Sequence, residues 1–129
     1  MVIVDTSVWA QAYRDSESDA ARELASLLVR DKVVMVGPVM SELLAGAKNE
    51  EQFEFLSSRL TVLRYCEFDK DTWVRHATLS AHLRKAGNKI GMADTAIACI
   101  ALQHDLPLYT LDGDFDRVPD LRFHIPETA

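Results

Sequence analysis

The chain opens on three β-branched residues, Val2-Ile3-Val4, that stop at Asp5, and short apolar runs then alternate with amphipathic stretches to the C-terminus. An apolar run bounded by turn residues predicts a buried strand, and apolar residues every three or four positions predict a helix. After Asp5, Thr6 and Ser7 supply capping hydroxyls for a helix through Trp9 and Tyr13. Ala21, Leu24, Ala25, Leu27 and Leu28 fall at helical spacing within residues 18–30, and Asp31-Lys32 breaks into Val33-Val34-Met35-Val36, a second strand. Gly37-Pro38 punctuates the chain. Proline suits the first helical position, so the next helix runs from Pro38 through Leu43 and Leu44 to about Ala47. A further helix covers residues 50–59.

Thr61-Val62-Leu63 begins a third strand that ends near Cys66, and a long helix follows from Asp69 through Trp73, Ala77 and Leu83 to Lys85. Gly87-Asn88 ends it as a left-handed cap would. Beyond Gly91, the residues Met92, Ala93, Ala96, Ile97, Ile100 and Ala101 predict a strongly apolar helix with Asp94 in its first turn. Pro107-Leu108-Tyr109-Thr110 reads as a fourth strand leading into the polar triplet Asp112-Gly113-Asp114, and residues 122–125 as a short last one. Strands alternating with helices of these lengths imply a three-layer α/β/α domain around a parallel sheet of four or five strands. Repeats, linkers and low-complexity tracts are absent from the sequence.

Composition sharpens this picture in two ways. With 129 residues, 48% hydrophobic and 26% charged, the chain is expected to form one domain with one core. No apolar run approaches the roughly 20 residues needed to span a bilayer, and the start lacks the pattern of a signal peptide, so a cytoplasmic protein without membrane contact is expected. Cys66 and Cys99 form no CxxC pair and read as reduced thiols. The net charge of −6 has the wrong sign for a broad basic nucleic-acid surface. Arg75, Arg84, Lys85 and Lys89 gather locally, though solvated helix faces look the same. Any contact with nucleic acid must therefore be local or assisted by a cation.

The candidate chemistry lies in the acids at strand ends: Asp5, Glu42, Asp94 and Asp112, with Asp114 beside the last. Each has an ordinary explanation. An aspartate after a strand is a common N-cap, one in a first helical turn is favoured by the macrodipole, and Asp112-Gly113-Asp114 reads as a polar turn. Glu42, flanked by Val39, Met40, Leu43 and Leu44, is costly near an apolar face unless exposed, paired or metal-bound. Together the pattern differs: open parallel sheets gather strand ends on one edge, so these acids would share one crevice. Hard carboxylate ligands suit Mg²⁺ or Mn²⁺, the ions of phosphodiester hydrolysis.

The segments VIVDTSVW, PVMSELLAGA, GMADTAIACIAL and LPLYTLDGDFDRV resemble, in order and spacing, the motifs of PIN-domain nucleases, and most nearly the VapC toxins of bacterial and archaeal toxin–antitoxin pairs. The resemblance covers essentially the whole chain. It implies a PIN fold acting as a Mg²⁺- or Mn²⁺-dependent endoribonuclease, a homodimer, and inhibition by a small VapB-like antitoxin that inserts a segment into the active-site groove. Residue by residue, the first-strand aspartate of the family matches Asp5, the glutamate of the E-L-x-x-G segment Glu42, the helix-start aspartate Asp94, and the acid of the T-x-D/N segment Asp112 with Thr110 as its hydroxyl partner. Asp114 is expected as an auxiliary acid, and Thr6, Ser7 and Ser41 as donors that orient the carboxylates.

The expected mechanism is hydrolysis of RNA, with Asp5, Asp94 and Asp112 holding the ion and Glu42 completing the site. The four histidines are unclustered, which disfavours a histidine-based ribonuclease. Two alternatives remain open from the residues alone: a catalytically silent metal-binding interaction domain, and a metal-dependent phosphatase. The haloacid-dehalogenase type of phosphatase needs an aspartate where Ser7 stands. A nucleotide-binding module would need a glycine-rich turn after the first strand, and DTSVWA has none.

Overall fold

The computed structural model describes residues 1–127. Strands β1 (Val2–Val4), β2 (Val33–Val36), β3 (Arg64–Cys66) and β4 (Leu108–Tyr109) form one parallel sheet in the order β3-β2-β1-β4. The register pairs Ile3 with Val34 on one side and with Leu108 on the other. Strands β1 and β2 are buried along their whole length, as an apolar run covered on both faces requires. By contrast, β3 lies at the sheet edge and exposes Arg64 and Tyr65.

Six helices cover the sheet: α1 (Thr6–Arg14), α2 (Asp19–Val29), α3 (Gly37–Ala45), α4 (Glu50–Leu60), α5 (Lys70–Lys85) and α6 (Met92–Gln103). Consecutive helices pack in pairs, α1 with α2, α3 with α4 and α5 with α6. The chain moves outward from β1 to β3 and then returns past β1 to β4. Right-handed crossovers therefore place the α5–α6 pair on the opposite face of the sheet from the first four helices. Helix α6 is apolar around its circumference, with every residue from Thr95 to Ala101 buried, which makes it the central helix of its layer. Side-chain caps start most helices: Asp5 for α1, Ser18 for α2, Asn49 for α4 and a reciprocal Asp69–Thr72 box for α5. Gly87 ends α5 at φ 82°, the left-handed conformation that its sequence position predicts.

Three elements differ from expectation. Residues 61–63 are not strand: α4 runs to the buried Leu60, and Thr61 closes it by donating its hydroxyl to the Ser57 carbonyl at 2.7 Å. Val62, whose β-branching suggested a strand, is left exposed in the turn. The polar triplet opens a 3-10 helix (Gly113–Arg117) capped by Asp112 and anchored by the fully buried Phe115. The last strand shrinks to one parallel bridge between Leu108 and Phe123, with Leu108 N–H donating to the Arg122 carbonyl and His124 N–H to the Leu108 carbonyl.

Candidate active site

The order β3-β2-β1-β4 has its switch point between β1 and β4, where successive connections leave in opposite directions. Ligands in open α/β sheets bind at the carboxyl edge of such a point. Asp5 leaves the carboxyl end of β1 there, and Thr110 and Asp112 follow the end of β4. Asp94 enters from the first turn of α6, and Glu42 from α3, the helix that follows β2.

Asp5 is the most constrained of these acids. It is buried, with 4% exposure, and serves as the N-cap of α1. Its Oδ2 accepts from the Ser7 hydroxyl at 2.7 Å, the Thr110 hydroxyl at 2.9 Å and the Ser7 backbone N–H at 3.4 Å. The two hydroxyl oxygens in turn accept from the backbone, Ser7 Oγ from Leu111 N–H and Thr110 Oγ1 from Asp112 N–H, both at 3.0 Å. Each hydroxyl carries a single proton, and both protons point at Asp5, so the 3.3 Å approach of Ser7 Oγ to Thr110 Oγ1 is contact rather than bonding. The ordinary capping reading and the clustered reading of Asp5 thus hold together. All these bonds fall on Oδ2, which leaves Oδ1 as the oxygen available to a cation.

The other acids complete the crevice. Asp112 Oδ1 accepts from the Asp114 N–H at 2.9 Å, which fixes its rotamer at the start of the 3-10 helix. Glu42 is exposed at the rim and accepts from the Thr6 hydroxyl at 3.3 Å. Asp94 is half-buried, and its carboxyl is pushed up to about 6, first by burial and then by the negative charges of Asp5, Asp112, Glu42 and Asp114. Asp94 therefore senses every other acid singled out from the sequence. Ser41 is exposed on α3 and lines a neighbouring cleft with Pro38 and Tyr65. Thr6, Ser7 and Thr110 bond the carboxylates directly.

A family profile described as PIN domain matches residues 2–121. Ribonuclease VapC11 of Mycobacterium tuberculosis is 29% identical over 90% of each chain, and Ribonuclease VapC1 of Haemophilus influenzae is 30% identical over 94% of each. The chain is a PIN domain of the VapC family. The solved structure of VapBC-1 from nontypeable Haemophilus influenzae superposes at a TM-score of 0.80, with 25% identity, 96% of this chain and 97% of that chain covered. The α/β architecture around four parallel strands, read from the alternation of apolar runs and helices, is therefore that of its relatives.

This PIN domain suits a hard cation by the chemistry of its donors. Four like-charged side chains raise a fifth only when they are close to it, and a divalent ion is what relieves such crowding. Among the described residues, no three acid, histidine or cysteine side chains are drawn to the spacing of a preformed metal cage. Carboxylates are hard oxygen donors of the kind Mg²⁺ and Mn²⁺ take, whereas zinc sites draw mostly on nitrogen and sulfur.

One charged group escaped the sequence reading. Glu23 is fully buried on α2, where its Oε2 lies 2.7 Å from His124 Nε2 and it accepts from the Glu127 N–H. His124, expected to be solvated or capping, is 14% exposed at its side chain and packs on Tyr109. A signal existed, since Glu23 stands three residues after Ala20 and four before Leu27, on the buried face of α2.

Proposed function

We propose that this PIN domain, one unit spanning residues 1–129, is a Mg²⁺- or Mn²⁺-dependent endoribonuclease and the toxin component of a type II toxin–antitoxin pair. The observation that carries the reading is Asp94, whose carboxyl is raised to about 6 by burial and by four acids arriving from β1, α3 and the segment after β4. Asp5 through Oδ1, Asp94 and Asp112 would hold the ion, and Glu42 and Asp114 flank it. When bound, the ion supplies Lewis-acid polarisation of a phosphodiester and a water of lowered pKa.

The chain's own residues do the rest. Ser7 and Thr110 hold the Asp5 carboxylate in one orientation, at no reorganisation cost during the reaction. Glu42, exposed and tethered by Thr6, is placed to accept the proton released as water attacks. The negative surface makes substrate recruitment depend on the bound cation, so RNA binding and cleavage fall together when the ion is removed.

The partner side of the reading rests on a groove of about 590 Å³ between α1, α2 and α4, walled by Trp9, Tyr13, Leu24, Leu28 and Phe55. An apolar trough of this kind fits the apolar face of an amphipathic helix. The proposed occupant is a VapB-like antitoxin, in keeping with the VapBC-1 structure, a chain of which superposes on this one. A homodimer belongs to the same reading.

The test is cleavage of total RNA by the purified protein with Mg²⁺ or Mn²⁺, with EDTA, and by an Asp94→Asn variant prepared identically. Discrete products that disappear with EDTA and with the variant support the proposal. Absence of cleavage by folded, antitoxin-free, metal-loaded protein refutes it.

A further inference from the structure

A second concavity opens on the same sheet edge. It measures about 390 Å³, within the range of small-ligand pockets, and lies between the start of α3 and the start of α5. Tyr65, Phe68 and Trp73 wall it, Gly37 and Pro38 form its floor on α3, and Glu67 stands in it as an exposed carboxylate. Because β2 and β3 both end there, the cleft faces the same way as the acids at the ends of β1 and β4. Neighbouring strands lie about 4.8 Å apart, so the cleft sits within two strand spacings of Asp5.

Its rings form a continuous array. Phe68 and Trp73 meet at 5.3 Å between centroids, Trp73 meets His76 edge-on at 5.5 Å, and His76 Nε2 lies 3.2 Å from the Met92 carbonyl, two residues before Asp94. Aromatic residues are usually spent on burial, yet Trp73 and Tyr65 keep 43% and 42% of their surface in solvent. Gly37 eases this arrangement: a Cβ there would stand 3.1 Å from the Tyr65 hydroxyl and would push the ring a few tenths of an ångström away from α3.

The chemistry of the lining selects among ligands. No lysine or arginine lines the cleft, so a phosphate has no counter-charge there. Exposed ring faces stack on nucleobases, and unpaired RNA bases are read in this way. An ionised carboxylate only accepts hydrogen bonds, and with two oxygens it accepts two in parallel. Guanine presents two adjacent N–H donors on its Watson–Crick edge, where adenine, cytosine and uracil each present one.

We propose that the α3–α5 cleft is a base-recognition subsite, in which an unpaired guanine next to the scissile phosphodiester stacks on Trp73 and Tyr65 and donates to Glu67. This inference rests on the ribonuclease reading of the adjacent acids, and it adds to that reading a source of sequence preference.

The chain has two tryptophans, and Trp73 is the exposed one, so its fluorescence reports occupancy of the cleft. The probes are single-stranded RNA heptamers with a central guanine, adenine, cytosine or uracil, mixed with the Mg²⁺-loaded protein and read by stopped flow before cleavage proceeds. The guanine heptamer is expected to quench Trp73 and to bind about tenfold more tightly than the others, and Glu67→Ala to abolish that preference. Trp73→Leu is expected to raise KM for the guanine heptamer about tenfold, the scale of one lost base stack. Equal binding of all four heptamers, or an unchanged KM and cleavage pattern in both variants with wild-type RNA cleavage intact, overturns the subsite while leaving the nuclease reading standing. Failure of the wild type to cleave any RNA overturns both. Sedimentation of each variant guards against another occupant: conversion of a dimer to a monomer by Trp73→Leu, with base preference retained, assigns the cleft to a second copy of the chain and also overturns the proposal.

Discussion

Replacing Asp94 with asparagine is expected to inactivate the protein and, without divalent ions, to stabilise it. Asp94 carries a carboxyl raised from 3.8 to about 6 because ionisation costs burial energy and sets it against four other acids. A pKa above its unfolded value means that the folded state holds the proton more tightly. The penalty is absent below about pH 4, grows between about 4 and 6, and is fully present above about 6. Taken at face value the change corresponds to at most about 3 kcal/mol. Asp94 is only half-buried and solvent screens exposed charges, so about 1 kcal/mol is the working figure. That still exceeds the ~0.5 kcal/mol that an acid gains from the N-terminus of a helix, so relief of repulsion wins.

The net gain of about 0.5 kcal/mol means that Asp94→Asn should melt about 1.5–3 °C above wild type at pH 8 in EDTA, and the gap should shrink toward pH 4.5. Thermal unfolding followed by circular dichroism across that range is the assay. Saturating Mg²⁺ or Mn²⁺ should reverse the gap, since an ion at about 100 times its Kd stabilises the wild type by about 2.7 kcal/mol. A gap that is constant from pH 4.5 to 8, or a wild type more stable than the variant at pH 8 in EDTA, refutes the electrostatic account of the site.

Thr110→Val removes one of the two hydroxyls on Asp5 and strands the Asp112 N–H, so RNA cleavage should fall about 10–100-fold with a stability loss of about 1–2 kcal/mol, read by single-turnover kinetics and urea unfolding. His124→Ala withdraws the 2.7 Å partner of the fully buried Glu23 and should cost about 2 kcal/mol in the same urea assay, with cleavage per folded molecule retained. Phe115→Ala empties the anchor of the 3-10 helix and should cost about 3–5 kcal/mol; the displaced Asp112 cap should lower metal affinity, measurable by Mn²⁺ titration.

The parts of the fold legible in the sequence are those that burial dictates. Val2–Val4 and Val33–Val36 are covered on both faces, so their composition alone marks them as central strands. The third strand ends at Cys66 as its run implies but starts three residues late, because Val62 carries strand propensity yet lies in the turn beyond the buried Leu60. Strand ends and helix starts also located the acids. What spacing could not give was the bonding among them: Ser7 and Thr110 lie 103 residues apart, and only the pairing of β1 with β4 brings both to Asp5. Likewise Glu23 could be placed on a buried face, but its partner 101 residues away could not be named. Long-range hydrogen bonds leave no periodic trace in a sequence.

That same Thr110–Asp5 bond fixes when the crevice comes into being. Asp5 leaves the ribosome 105 residues ahead of the hydroxyl that orients it. Because chains emerge N-terminus first, a nascent molecule carries the aspartate through that whole interval without strand β4 beside it. The crevice matures only when the sheet closes, so whatever chemistry it performs has to wait for β4 to pair with β1.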